Sequence, residues 1–547
     1  MSLRDELKRA KQECLLTRRE YIRSDFIREV LTIERVKEEL PNTWGRWLLP
    51  CWDWDLQDKV QQARKIIAIL ILLGKSEAID DLLAEGLTDD DLPLRKKDDK
   101  VISQCGKKAF TSFKTCRGSK ELREMFLEAQ WIVFAPTLDF EPGRSVDIDL
   151  HPLSVLPFDC DEPTTAGYSV VYKARPWPSY CRGLDCNVSS LCLLWLYHAN
   201  IHCMKAGKEG KGLVYVAIKK FNDASKHQRD SHFRAELKNL NLINNIKNDH
   251  LIKHLAVCEH LQCIFFPWAD GGDLRAFWKT HDLSVCRRTA DVFHWAIQQI
   301  TGLTEALAEI HKTGSRHGDL KPSNILHFTG AKSQFGILKI ADFGVSRTHE
   351  RATGFREAAT ITTASTYAYE APEAYDPNLK RFPRSRRYDS WSMGCIILEF
   401  VIWLLYDYKA LSSFEYAREF RDHAYYQPIP NSNPIVMEVH PMVKKAIKGL
   451  KVHPRFHNTT LEALVEMVES ELLRVDPKKR LYAVDMHMKL KTILDATKKD
   501  LSSFARAADR APITPSIFSN PPPPSPNKAT YEQVQGPGSK SLVAPNL

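Results

Sequence analysis

Residues 315–328 read SRHGDLKPSNILHF and follow a run, 292–311, in which Phe293, Ile297, Ile300, Leu303, Leu307 and Ile310 recur at helical spacing. A carboxylate, an amine and an amide therefore stand at Asp319, Lys321 and Asn324, with His317 before them, just past a long amphipathic helix. A second stretch, LKIADFGVSR at 338–347, adds Asp342 and Phe343. Polar groups at such fixed offsets must be held by a loop that a buried helix supports. That requirement constrains the fold more than composition does.

Composition sets outer bounds. The 547 residues allow two to four domains, and 43% hydrophobic with 27% charged residues suits a soluble globular chain with a sizeable core. The formal charge of +9 is spread among 68 acidic residues, so no nucleic acid partner is expected, since such a footprint is a patch and not a total. The start, MSLRDELKRAKQE, has no apolar signal core, and IIAILILLG at 66–74 is about half of a membrane span, so no span is expected. Thirteen cysteines, an odd number with no signal, suggest reduced thiols in a cytoplasmic or nuclear protein.

Along the chain, residues 1 to about 40 carry Tyr21, Ile22, Phe26, Val30 and Ile33 at helical spacing, which predicts an amphipathic surface helix. Residues 57–85 repeat the pattern up to a stop built from Gly86 and Pro93, and SKELREMFLEAQWIVF runs into Pro136. Residues 1–150 thus read as a mainly helical accessory region, without a catalytic cluster and suited to protein partners. From 153 the texture changes: YSVVYKARP (168–176), GLVYVAIKKF (212–221) and LQCIFFPWA predict strands around one helix, HFRAELKNLNLINNI, and long helices follow. The tail, 508–547, is rich in Pro and Ser and too poor in aliphatic residues to offset ordering entropy, so it is expected to be disordered, with Pro521–Pro524 as a spacer.

Phosphoryl transfer from ATP needs a cation on the phosphates, carboxylate and amide ligands for magnesium, and a carboxylate that orients the attacking hydroxyl. VAIK at 216–219, HGDLKPSN, DFG, YEAPE, YDSWSMG and LLRVDPKKRL supply these parts in order, and residues 155–497 resemble a eukaryotic protein kinase domain. The resemblance implies an α+β, bilobal kinase-like fold: a β-rich N-lobe at about 155–269 with an insertion at about 176–211, and a helical C-lobe at about 270–497. It implies that Lys219 holds the α and β phosphates and pairs with Glu236, that Asp319 orients the substrate hydroxyl, and that Lys321 neutralises the γ-phosphate. Asn324 and Asp342 become the magnesium ligands, Glu373 and Arg480 a buried ion pair, and Asp389 a support for the catalytic loop. Val171, Ala217 and Leu326 match positions that sandwich adenine, Phe266 narrows the pocket, Trp268 and Ala269 offer backbone groups, and Pro267 has no N–H to donate. Leu240, His317 and Phe343 match a stacked column linking the lobes. The APE-type segment implies a protein substrate, and Lys321 resembles the Ser/Thr-directed members.

Three departures stand out. The phosphate loop, expected as G-x-G-x-x-G, reads Thr164, Ala166 and Ser169, with Gly167 out of place, which restricts close backbone approach and predicts weak or slow nucleotide use. The interval from Ala174 to Ala217 is long for neighbouring strands; its Cys181, Cys186, Cys192, Cys203, His198 and His202 match no compact zinc pattern, and retained intron sequence over 178–205 is the other explanation. Gly318 stands where many kinases carry an arginine that binds a phosphorylated activation segment, so phosphorylation within 345–370, at Thr360, Thr362, Thr363 or Ser365, is not expected to be required. Thr366 is set apart because it resembles the threonine bridging Asp319 and Lys321. This insertion-bearing, glycine-poor texture resembles predicted filamentous-fungal kinases.

The reading is a Ser/Thr protein kinase using ATP and Mg2+. A catalytically impaired, kinase-like scaffold is the alternative, favoured by the degenerate loop and the insertion but opposed by the retained Lys219, Asp319, Asn324 and Asp342. A small-molecule kinase is disfavoured by Glu373 and Asp389.

Overall fold

The computed structural model describes residues 2–39, 52–98, 100–115, 119–140, 144–166, 169–177, 180–182, 215–222, 225–282, 289–330, 333–343, 367–375, 385–421, 423–432, 435–454, 456 and 459–499. These fall into two compact units, the first within residues 1–273 and 325–357, the second within 274–324 and 358–547.

Among the described residues, two apolar clusters lie in the first unit. One is centred on helix α1 (Arg64–Leu73), where the run from Ile66 to Leu72 is buried because a helix apolar on every side must be enclosed. Leu3, Leu7, Ile27, Val30, Leu82, Phe113 and Phe126 pack into the same core. The expected single helix over residues 1–40 is instead three seven-residue helices, Leu3–Arg9, Ser24–Val30 and Ile33–Glu39. Between the first two, Gln12–Glu13 pairs antiparallel with Glu20–Tyr21 around a turn in which Arg18 has φ 57°. The break has a physical reason: Leu3 and Leu7 serve the α1 core, whereas Cys14, Leu16 and Tyr21 serve the second core, and one straight helix cannot reach both.

That second core underlies the main sheet. Its strands are β1 (Val146–Asp147), β2 (Phe158–Cys160), β3 (Thr164–Ala166), β4 (Ser169–Pro176), β5 (Val216–Phe221), β6 (Ala256–Cys258) and β7 (Cys263–Pro267). The order is β1-β6-β7-β5-β4-β2, with β3 also paired to β4. An edge strand thus comes from before residue 155: β1 runs parallel to β6, with Val146 opposite Ala256. β2 and β3 pair with the two ends of β4, and the register shifts by one residue between Cys160↔Ala174 and Thr164↔Val171, a bulge that re-aims the strand. Trp177 and Cys181, at the start of the long interval, are buried in this core, and Leu138 donates its N–H to the Tyr180 carbonyl at 2.7 Å. Helix α2 (Lys226–Asn244), capped by Ser225, follows β5.

The hairpin β8 (Ile325–Phe328) and β9 (Ile337–Ile340) belongs to this first unit, although chain order would assign it to the helical lobe. Leu251 bridges Ile340 and Asp273 bridges Leu326, so backbone pairing draws it back.

The second unit is helical: α3 (Leu274–Thr280), α4 (Ala290–Lys312), α5 (Arg387–Leu405) and α6 (Ala483–Lys499) are its main elements, and α4 packs along α6. Helix α5 is long and apolar enough to cross a membrane by length and composition, and it lies fully buried in this unit as a core helix. A β-rich unit with a helical one is the α+β, two-lobed arrangement that the motifs imply.

Candidate active site

In the first unit, β5 alternates buried Val216 and Ile218 with half-buried Ala217 and Lys219. The register sets Val171 opposite Lys219 and Ala217 opposite Phe266, so these side chains share one face of the sheet. Lys219 Nζ lies 2.8 Å from both carboxylate oxygens of Glu236 and 2.9 Å from Oδ1 of Asp342. Glu236 arrives from the buried stripe of α2, between Phe233 and Leu240. Burial alone would drive the Lys219 ammonium down, but the Asp342 and Glu236 carboxylates outweigh it and hold the amine protonated, above its ordinary range. Asp342 has φ 64°, an uncommon left-handed conformation for a non-glycine residue, and its carboxylate is 38% exposed. Asn239 of α2 donates to the Phe343 carbonyl at 2.9 Å and ties that segment to the helix that carries Glu236.

The same unit holds the predicted adenine positions. Val171, Ala217 and Leu326 are half-buried, and Phe266 is 8% exposed. The Ala269 carbonyl accepts the Gly272 N–H at 3.1 Å. Thr164 and Ala166 lie on β3 and Ser169 on β4, with Ala166 paired to Ser169 and Thr164 to Val171. Ser169 is buried.

The second unit holds the other set. Lys321 Nζ donates to Oδ2 of Asp319 at 2.8 Å, and Asn324 donates to the Asp319 carbonyl at 2.7 Å and to its Oδ2 at 3.2 Å. Since the Asn324 N–H groups are used in this way, its amide oxygen is the atom left for a cation. The loop is held from below by Asp389, whose oxygens accept the backbone N–H groups of His317 and Gly318, each at 2.8 Å. His311, at the end of α4, bonds the same carboxylate at 2.8 Å. Burial would raise the Asp389 pKa, but the His311 hydrogen bond, the nearby histidines and the Gly318 N–H bring it below its ordinary value. Gly318 has φ 82°, which suits glycine. Glu373 and Arg480 form a bidentate buried pair at 2.7 and 2.8 Å.

Sequence reasoning missed two clusters. In the first unit, Asp159 of β2 accepts from Trp177 Nε1 at 2.8 Å and pairs with Arg175 and Arg23 at 2.9 and 3.2 Å, tying residues near the N-terminus to the sheet. In the second, the buried Glu399 accepts from Tyr369 and Tyr425 hydroxyls at 2.9 and 2.7 Å, and Arg275 joins Tyr369 to Glu415. A glutamate inside the apolar run of α5 was the one available signal; Tyr425 and Arg275 carried none. Gly167, Thr360, Thr362, Thr363, Ser365 and Thr366 lie outside the described residues, as do Cys186, Cys192, Cys203, His198, His202 and the 508–547 tail. Cys181 is described: it is buried, and its thiol donates to the Pro157 carbonyl at 3.7 Å.

Comparison with known proteins agrees with this geometry. The protein kinase domain profile matches residues 202–489, just over half of the chain. The chain is 34% identical over 109 residues to the dual specificity protein kinase zak2 of Dictyostelium discoideum, covering 19% of this chain and 16% of that protein. It is 28% identical over 228 residues to mitogen-activated protein kinase kinase kinase 5 of Mus musculus, covering 39% and 15%. It is 28% identical over 304 residues to calcium/calmodulin-dependent protein kinase type II of Caenorhabditis elegans, covering 52% and 36%. The chain thus spans about a third or less of the length of these relatives, which are diverse kinases and not specifically fungal. With the lysine–glutamate pair, the supported aspartate loop and the profile in agreement, the chain belongs to the protein kinase domain family.

Proposed function

We propose that the chain is a Ser/Thr protein kinase that transfers the γ-phosphate of ATP to hydroxyls of protein substrates. The observation that carries this reading is the Asp319–Lys321–Asn324 cluster, a carboxylate, an amine and an oriented amide on a loop whose His317 and Gly318 N–H groups donate to the Asp389 carboxylate. Asp319 would accept the proton of the attacking hydroxyl, and Lys321 would offset charge on the transferred group. Lys219, kept charged by Glu236 and Asp342, would bind the phosphates. For transfer, both sets must serve one nucleotide.

Each donor suits magnesium by type: the Asp342 carboxylate in the first unit and the Asn324 amide oxygen in the second are hard oxygens, which Mg2+ prefers. Such a metal would neutralise phosphate charge. A serine or threonine acceptor is favoured by Lys321, two residues after Asp319.

The test is transfer of labelled γ-phosphate to a generic basic protein by the purified chain, with Asp319→Asn and Lys219→Met as controls. Transfer is expected from wild type, with a loss of about 10²-fold or more in each variant. Equal signals from all three would replace this reading with a scaffold, which the glycine-poor hairpin of Thr164, Ala166 and Ser169 favours.

A further inference from the structure

Cys258 ends β6 and Cys263 begins β7, and the hairpin register sets the two directly opposite each other. Partners on neighbouring antiparallel strands have Cα atoms about 4.5–5.5 Å apart, inside the range that a disulfide spans. Both thiols are free and fully buried. Cys263 pairs with Lys220 and the next residue, Ile264, with Lys219, so the two sulfurs lie on the sheet face opposite to Lys219. The hairpin near the N-terminus packs on that face: Lys220 donates to the Leu16 carbonyl at 2.6 Å, and Cys14 and Leu16 join the same core as the two cysteines. Among the described residues no group of three such side chains is placed to hold a metal ion, so the pair stands as a dithiol.

The two sulfurs are not equivalent. The Cys263 thiol donates to the Cys258 sulfur, and the N–H groups of His260 and Leu261, in the turn that joins the strands, bond the same atom. Together they outweigh burial and hold the Cys258 thiol below its ordinary range, whereas burial pushes Cys263 well above it. Donors aimed at one sulfur favour its thiolate, the form that reacts. The turn lies at the surface, with Glu259 and His260 exposed. A reagent the size of water therefore needs only a local opening of this turn to reach the pair.

We propose that Cys258 and Cys263 form a reversible disulfide on exposure to hydrogen peroxide, with Cys258 as the attacking thiol. Its thiolate attacks one peroxide oxygen and breaks the O–O bond, which leaves a sulfenic acid on Cys258 and, once hydroxide takes up a proton, one water. The Cys263 sulfur then attacks the Cys258 sulfur; the S–S bond forms, the S–O bond breaks, and the hydroxyl leaves with the Cys263 proton as a second water. The two thiols together lose two electrons and two protons, and one peroxide is reduced to two waters.

Trypsin cleavage at Lys253 and Arg275 leaves both cysteines, and no other, in the peptide 254–275. The full chain is treated with hydrogen peroxide, blocked with iodoacetamide and digested for mass spectrometry, with the exposed Cys105 as the internal control for oxidation. The peptide is expected to lose two hydrogens and take up no label, and to return to two labelled thiols after dithiothreitol. A further cut at Glu259 should give two fragments joined through sulfur. In Cys263→Ser, where the hydroxyl can still donate to Cys258, dimedone should trap a sulfenic acid at Cys258; in Cys258→Ser, Cys263 should remain a thiol. The wild-type result stands without the variants. A peptide that keeps both thiols while Cys105 is oxidised, a disulfide from either cysteine to Cys14 or Cys160, or a sulfenic acid at Cys263 in Cys258→Ser overturns the proposal.

Discussion

Asn324 donates its side-chain N–H to the backbone carbonyl of Asp319 at 2.7 Å, so the residue five positions on sets the shape of the loop that presents the carboxylate. Replacing it with alanine removes this tie and the amide oxygen proposed for magnesium. Turnover of Asn324→Ala should fall about 10²-fold, and the Mg2+ concentration for half-maximal rate should rise. An unchanged magnesium dependence would show that the amide only shapes the loop.

The bidentate contact of Arg480 with Glu373 is buried and has further support, since Arg480 donates to the carbonyls of Arg474 and Val475 at 2.6 and 3.0 Å. Removing one partner strands the other charge. Arg480→Met or Glu373→Leu alone should cost roughly 3 to 5 kcal/mol in urea unfolding, and the double variant less than the sum of the two. A single-variant loss below about 1 kcal/mol would contradict a buried, mutually dependent pair.

Gly318 occupies the left-handed region at φ 82°, with its N–H bonded to Asp389. Gly318→Arg should therefore destabilise the chain by about 1 kcal/mol and leave activity no higher. In the same logic, alanine at Thr360, Thr362, Thr363 and Ser365 together, with Thr366 intact, should leave turnover within about twofold. Loss of turnover in the fourfold variant would establish a need for phosphorylation there.

His254 is buried beside the sheet, and burial pulls its pKa from 6.5 down to about 4, against a weaker upward pull from Asp147. Between pH 6.5 and about 4 the unfolded chain binds a proton that the folded chain excludes, so stability falls as pH falls through that window. His440 in the second unit, also pulled to about 4, adds a loss of the same sign. His254→Leu should remove about 3 kcal/mol of this acid sensitivity in unfolding measured from pH 7 to pH 4. An identical pH profile in the variant would refute the assignment.

The catalytic motifs were legible because each is local. VAIK lies on one strand, HGDLKPSN in one loop, and Asp342 and Phe343 are adjacent, so residue type and offset point to the chemistry without the fold. Helix α4 and strands β4, β5 and β7 were equally readable, since apolar spacing marks α4, and β-branched and aromatic runs mark the strands, within a single short segment. What failed was assignment over distance. Residues 1–40 have helical periodicity, but the apolar side chains divide between two cores and the helix breaks. The boundary near 150 was drawn from texture, while β1 pairs with β6 across it.

By itself, the sequence determined the family, the order of the two lobes and the identity of the charged groups, because spacing within a short segment survives whatever the rest of the chain does. The tertiary structure decided the pairings that the motifs left open. It placed Asp342 on Lys219, drew the β8–β9 hairpin to Leu251 and Asp273 of the first unit and set His311 on Asp389. Such pairings join residues tens to hundreds of positions apart. Their energies depend on burial and on the geometry of the partner, neither of which a linear pattern encodes.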